Sequence, residues 1–286
     1  MADKAPTQQS LEVLYGRDIA RELIAARAAA RIKSAVASSR EPALDLEVAL
    51  SRDIRAAIEA LAEKAVQPIF LDVPLTAVVA LGHKNFAPEA RTWRVLLQGV
   101  HGVGWRDESI GWMESEIGLR WFPAEWAAEP LKMTGVGGAL LCANGMHRLV
   151  GTVCWLATSQ GSGAQLRKVA VCLRPLYPRV RRLLAGAHRR GARVDVALVD
   201  DTRAYLRVVL SKAVLLHVCE DGRVARVVLA RTLWRRIRRG QWQRKDSMKL
   251  AGLSWQTLPP RIVAALADEA WVRTQFVAPK YEPYEG

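Results

Sequence analysis

Residues 140–156 read LLCANGMHRLVGTVCWL, and this stretch decides how the centre of the chain folds. It opens with an apolar run typical of a buried strand, turns at Asn144 and Gly145, and continues with apolar residues at helical spacing. The pattern predicts a strand, a tight turn and a helix. Because glycine tolerates positive φ and a helix N-terminus favours anions, we expect His147 and Arg148 to contact a phosphate here.

The remaining pattern predicts an α+β protein with several units. Apolar residues at three- and four-residue spacing predict helices over residues 10–36 and 46–66. Shorter apolar runs predict strands at residues 69–75 and 168–173, and two prolines then mark a boundary. The predicted units are an N-terminal helical pair (1–67), a small mixed α/β domain (68–175), a basic α+β region (176–277) and a loose tail (278–286).

The net charge of +14 lies in one part of the chain. Residues 173–249 hold 20 Lys and Arg against 6 Asp and Glu, whereas the two signs balance elsewhere. Such a concentration favours a polyanionic partner, and nucleic acid is the commonest one. A solvated basic surface in an arginine-rich protein is the alternative.

The most basic segment is residues 229–247, LARTLWRRIRRGQWQRKDS. Its apolar residues share one face of a predicted helix, and its basic residues occupy the other. That basic face would bind a phosphate backbone without sequence preference, with an affinity that falls steeply in salt. The candidate nucleic-acid contacts are Arg235, Arg236, Arg238, Arg239, Arg244 and Lys245.

Other motifs assign no catalytic or metal-binding residue. The five histidines show no HxxxH or HExxH spacing, so no metal site is predicted, and no serine lies in a GxSxG turn. Residues 249–266 faintly resemble a helix-turn-helix, but Pro259 and Pro260 would interrupt its second helix.

Composition also bears on location. The sequence contains no run of about 18 uncharged apolar residues, and its first residues lack the pattern of a signal peptide. The four cysteines show no CxxC pairing and lie among apolar residues, as buried thiols do in a reducing compartment. We therefore expect a cytoplasmic protein with no membrane partner.

The run CANGMHRLVGTVCWL, preceded by a strand and followed after its helix by KVAVCL, resembles the ParB/sulfiredoxin-like fold family. It is most similar to the branch with a [DN]GMHR-type motif. The strand FLDVPLTAVV is similar to the one that opens such domains, so the resemblance covers residues 69–173. It implies a small α/β domain in which Gly145, His147 and Arg148, beside Asn144, contact the phosphates of a nucleotide such as CTP or ATP.

The resemblance and the charge together predict a DNA-binding ParB-like protein that acts in the maintenance, partition or regulation of a plasmid or other mobile element. One alternative is a nucleotide hydrolase or nuclease of the same fold that uses His147, although no catalytic carboxylate can be assigned. A second alternative is a protein-interaction factor without enzymatic activity. Its contact surface, which would also serve a homodimer, is the N-terminal helical pair.

Overall fold

The computed structural model shows a mixed α+β protein. It describes residues 17–50, 58–102, 105–118, 131–200, 203–211, 213–227 and 252–283. The described helices are α1 (Arg17–Ser38), α2 (Trp93–Gln98), α3 (Asp107–Met113), α4 (Met146–Gln160), α5 (Pro178–Arg189), α6 (Pro260–Ala267) and α7 (Ala270–Val277). The described strands are β1 (Ala49–Leu50), β2 (Ile69–Pro74), β3 (Val78–Leu81), β4 (Lys132–Val136), β5 (Ala139–Asn144), β6 (Gln165–Arg174), β7 (Arg193–Asp200), β8 (Arg203–Leu210), β9 (Ala213–Glu220), β10 (Arg223–Val227) and β11 (Gln256–Leu258).

The first sheet is mixed and has the order β1-β3-β5-β4-β6-β2. Strand β5 pairs in parallel with β3 and antiparallel with β4, to which a short turn at Gly137 joins it. Strand β6 pairs in parallel with β4 and antiparallel with the edge strand β2. The predicted strand, turn and helix of residues 140–156 are confirmed as the end of β5, Gly145 and α4.

Strand β5 is buried on both faces. Leu140 and Cys142 pack in one apolar cluster with α4, which itself contacts α1, α2 and α3. Ala139 and Leu141 belong to a second cluster on the opposite face, shared with α5, α6 and the second sheet. Two-sided burial explains why this strand is a continuous apolar run rather than an alternation of apolar and polar residues.

The second sheet is antiparallel, with the order β10-β9-β8-β7-β11. An Asp-Gly pair between two apolar runs predicts a hairpin at Asp221-Gly222, and the structure has it between β9 and β10, where both residues have positive φ (45° and 75°). Helix α6 contacts β3 and β5 of the first sheet and β7 of the second. The second apolar cluster therefore runs from one sheet to the other through the helices between them.

The predicted helix over residues 46–66 is wrong at both of its ends; residues 51–57 lie outside the described residues. Ala49–Leu50 forms β1 and pairs in parallel with β3, and residues 63–68 are not helical. The Val66 N–H donates to Leu173 O at 2.9 Å, beside β6. The same apolar spacing is compatible with burial in a helix or in a strand. Hydrogen bonding to neighbouring strands decides between the two.

The C-terminal residues return to the first sheet. Pro260 is the first residue of α6, where its missing N–H costs nothing, rather than an interruption within a helix. Trp271 Nε1 donates to Gly138 O at 3.1 Å, and Gln275 makes two hydrogen bonds with the Asp72 backbone. In the described part of the tail expected to be loose, Lys280 and Tyr281 both bind the Asp72 carboxylate.

Close packing of α4 on Trp105 gives a stability prediction. A Cβ at Gly151 would lie 2.3 Å from Trp105 Cη2, within a buried contact. We expect Gly151→Ala to lower the free energy of unfolding by about 1–3 kcal/mol, because the indole has to shift.

The matched control is Gly111→Ala in α3, where an added Cβ meets no heavy atom within 4 Å. That change should raise the free energy of unfolding by about 0.5–1 kcal/mol, since alanine loses less backbone entropy than glycine in a helix. Urea denaturation of both variants measures the difference. Equal stability of the two would contradict this packing.

Candidate functional site

The strand-turn-helix corner lies at the carboxyl ends of two parallel strands. Strand β5 ends at Asn144, and Gly145 caps α4 in the left-handed conformation, with φ 86° and ψ 30°. Neighbouring β3 ends at Leu81, and the N–H of Gly82 donates to Cys142 O at 2.9 Å. Both strands therefore leave the sheet at the same edge, which is where open α/β sheets bind ligands.

The Arg148 side chain lies against the turn. A Cβ at Gly145 would be 3.0 Å from both Nε and Nη2 of Arg148 and 2.9 Å from Leu131 Cδ1. The guanidinium is thus beside the first turn of α4, whose backbone N–H groups have no partner within the helix. A cation and such N–H groups at one point favour the binding of an anion.

His147 packs in a group of rings that comes from three separate parts of the chain. Its ring centroid is 4.2 Å from that of Phe86 and 4.8 Å from that of His101. His83, which follows β3, is also close enough to influence the charge state of His147. Thus the corner brings together three imidazoles and one guanidinium.

This environment keeps His147 neutral. Burial lowers its pKa from the ordinary value, and the charges that His101 and His83 carry when protonated lower it further. Its Nδ1 is buried and has no hydrogen-bond partner among the described residues. A neutral imidazole has one donor and one acceptor nitrogen, so His147 can accept either a hydrogen bond or a proton from a bound group.

Cys142 also lies at this corner, and it is not a nucleophile. Burial raises the pKa of its thiol to about 12, against a smaller opposite effect of Arg148, so the thiol stays protonated. Its Sγ donates to Asn144 O at 3.1 Å across the turn. The thiol therefore supports the end of β5 rather than reacting.

Sequence reasoning named Asn144, Gly145, His147 and Arg148, and the structure brings these four together at the corner. It missed His83, Phe86 and His101, which lie between 46 and 64 residues earlier in the sequence. One signal was present, because His83, Lys84 and Asn85 form a polar break directly after an apolar strand. The partnership of His101 with His147 has no local signal, since it depends on the packing of α2 and its following loop against α4.

Two other predictions concern a nucleic-acid interface and a metal site. The candidate nucleic-acid contacts of the 229–247 segment, Arg235, Arg236, Arg238, Arg239, Arg244 and Lys245, lie outside the described residues. Among the described residues, no group of His, Cys, Asp or Glu is arranged to hold a metal ion.

Comparison with protein families, with characterised proteins and with solved structures finds no match to this chain. None of the helices in the described ranges has the length and apolar content needed to cross a bilayer.

The lowered pKa of His147 gives a pH prediction. The unfolded chain protonates this histidine near the ordinary value of 6.5, whereas the folded chain resists protonation until a lower pH. Stability from the neutral ring is therefore present above about pH 7 and is lost as the pH falls below the ordinary pKa. We expect the free energy of unfolding to fall less between pH 7 and pH 5 in His147→Gln than in the wild type, measured by urea denaturation.

The pH dependence of His147→Gln has to be compared with that of the wild type. Burial also lowers the pKa of His217, and both proteins retain the contribution of His217 to the pH dependence of stability. His188→Gln, at an exposed position of α5, is the matched control and should follow the wild-type curve. Parallel pH curves for wild type and His147→Gln would contradict the neutral, half-buried ring.

Proposed function

We propose that this chain is a DNA-binding ParB-like protein that acts in the maintenance, partition or regulation of a plasmid or other mobile element. The observation that carries the proposal is the corner itself. A left-handed glycine starts α4, with His147 and Arg148 in its first turn, at the carboxyl ends of two parallel strands. We further propose that this corner contacts the phosphates of a nucleotide such as CTP or ATP, through Asn144, Gly145, His147 and Arg148.

The arrangement of the first sheet supports the proposal. Residues 69–173, to which the resemblance applies, contain β2 to β6 and α4, and five of the six strands of this sheet come from that range. The remaining strand is the two-residue β1 at the sheet edge. The stretch that resembles the family therefore supplies nearly all of the first sheet.

The placement of charge supports a DNA partner. All of the positive surplus lies in residues 173–249, and all but the first two of these residues follow the last strand of the first sheet. A nucleotide at the corner and a polyanion on the following region would occupy different parts of the chain.

Calorimetry with CTP and with ATP, each with and without DNA, tests the corner. We expect Arg148→Gln to weaken nucleotide binding at least tenfold, because a charge-assisted hydrogen bond contributes about 1.5–3 kcal/mol. Arg91→Gln removes an exposed charge of the same kind outside the corner and should leave the affinity unchanged. If neither nucleotide binds under any of these conditions, the nucleotide part of the proposal is wrong.

A salt titration tests the DNA partner. We expect affinity for duplex DNA to fall steeply between 50 and 200 mM salt, as counterion release requires. Replacing Arg235, Arg236, Arg238 and Arg239 together by alanine should weaken binding and flatten its salt dependence. Absence of salt-sensitive DNA binding in the wild type would exclude this function.

One observation favours a hydrolase or nuclease as a second candidate. Neutral His147 with a partnerless Nδ1 has the protonation state of a general base that activates water. The nucleotide samples used for calorimetry separate the two functions. Steady release of phosphate that His147→Ala abolishes would assign the enzyme, whereas binding without release supports the DNA-binding protein.

A further inference from the structure

Helix α5 carries a stripe of exposed arginines on the side away from the core. At about 100° per residue, the stripe covers about 100° of the helix circumference. The buried residues Val180, Leu184 and Ala187 occupy the opposite side and pack in the second apolar cluster. We call these four residues the α5 stripe: Arg179, Arg182 and Arg189 within the helix, and Arg190 at its C-terminal cap.

The α5 stripe has no charge compensation among the described residues. None of its four arginines forms an ion pair with a described carboxylate. Arg190 Nε donates to Gly186 O, at 2.8 Å. By contrast, Arg181 lies off the stripe and pairs with Glu269, which also binds Arg273. Like charges on one helix face repel each other, so an anionic partner would relieve the repulsion along the stripe.

The stripe borders a groove whose charged lining consists of two arginines and one carboxylate, Asp268. A groove of about 590 Å³ lies between the C-terminal part of α5, α6, α7 and residues 74–77, and Arg189 and Trp271 line it. Arg261 also lines it, and its guanidinium donates to the backbone carbonyls of Glu47, Thr76 and Val78. Burial lowers the pKa of Arg261 to about 10, so it remains charged at neutral pH.

The shape of this surface matches an extended polyanion. Helix α5 has 12 residues and is about 18 Å long, which corresponds to about five nucleotides along one strand of duplex DNA. A small anion would need only one or two of the arginines. An anionic membrane surface fits less well, because an interfacial helix inserts its apolar face and that face of α5 is buried in the protein.

We propose that the α5 stripe, continued by the groove at Arg189 and Arg261, binds the phosphate backbone of nucleic acid without reading its sequence. This inference rests on the proposed DNA-binding function and adds to it a contact surface separate from residues 229–247. Arginine in such a row contacts phosphates along the strand, which positions the protein but does not select bases.

The test uses the full chain with Arg179→Gln, Arg182→Gln and Arg189→Gln combined. Glutamine keeps a good helix former at each position, and circular dichroism checks that the fold is retained. Duplex affinity is measured as a function of salt for two unrelated sequences. Loss of three phosphate contacts should make the slope of log affinity against log salt less steep by about 2.7. The change should be the same for both sequences.

The matched control combines Arg40→Gln, Lys64→Gln and Arg91→Gln, three exposed basic residues outside α5. It removes the same net charge and should keep the wild-type slope. If the wild type binds DNA and both triple variants show the same slope, the inference is wrong and the DNA-binding function stands. If the wild type binds no DNA, the proposed function and the inference are both wrong.

A parallel arm with phosphatidylserine vesicles separates the two kinds of anionic surface. We expect no difference between the stripe variant and the control variant in vesicle binding. Loss of vesicle binding in the stripe variant, with DNA binding intact, would assign the surface to a membrane and overturn the inference.

Discussion

The burial of β5 on both faces is the constraint on which the rest of the structure depends. Its residues alternate between the cluster under α4 and the cluster shared with the second sheet, so a one-residue shift of register would exchange the side chains that the two clusters receive and disturb the packing of both. The end of the strand is fixed with it. Gly145 is therefore held where the chain must turn sharply, and its left-handed conformation then sets the start of α4.

The location of the candidate site follows from where β5 ends, and it does not depend on a specialised loop. Because β3 runs parallel to β5, the residues after both strands meet at one edge, and His83 comes near His147 although 64 positions separate them in the sequence. Packing around α4 then adds His101 and Phe86. The result is a half-buried His147 flanked by the exposed imidazoles of His83 and His101 and by a guanidinium; burial, and then the neighbouring imidazoles, lower the pKa of His147.

Short sequence patterns predicted those elements whose conformation is set by neighbouring residues. The turn at Gly145 with helix α4 after it and the β9–β10 hairpin at Asp221-Gly222 were recoverable, because glycine conformation and apolar spacing are properties of a few adjacent residues. The segment 46–66 was not, since its apolar residues are buried equally well by a helix or by strands. There the backbone hydrogen bonds offered by β3 and β6 decided the outcome. Pro260, which disfavoured a recognition helix, proved to be a helix start.

The sequence by itself determined the strand-turn-helix corner, the four residues Asn144, Gly145, His147 and Arg148, and the segregation of positive charge into residues 173–249. Each of these depends on residue identity and short spacing alone. Only the tertiary structure decided that three histidines meet, that Arg181 pairs with Glu269, and that Arg179, Arg182 and Arg189 have no carboxylate partner within the described part of the chain. Those outcomes depend on which distant elements pack together, and that packing is set by the joint burial of both apolar clusters rather than by any one segment.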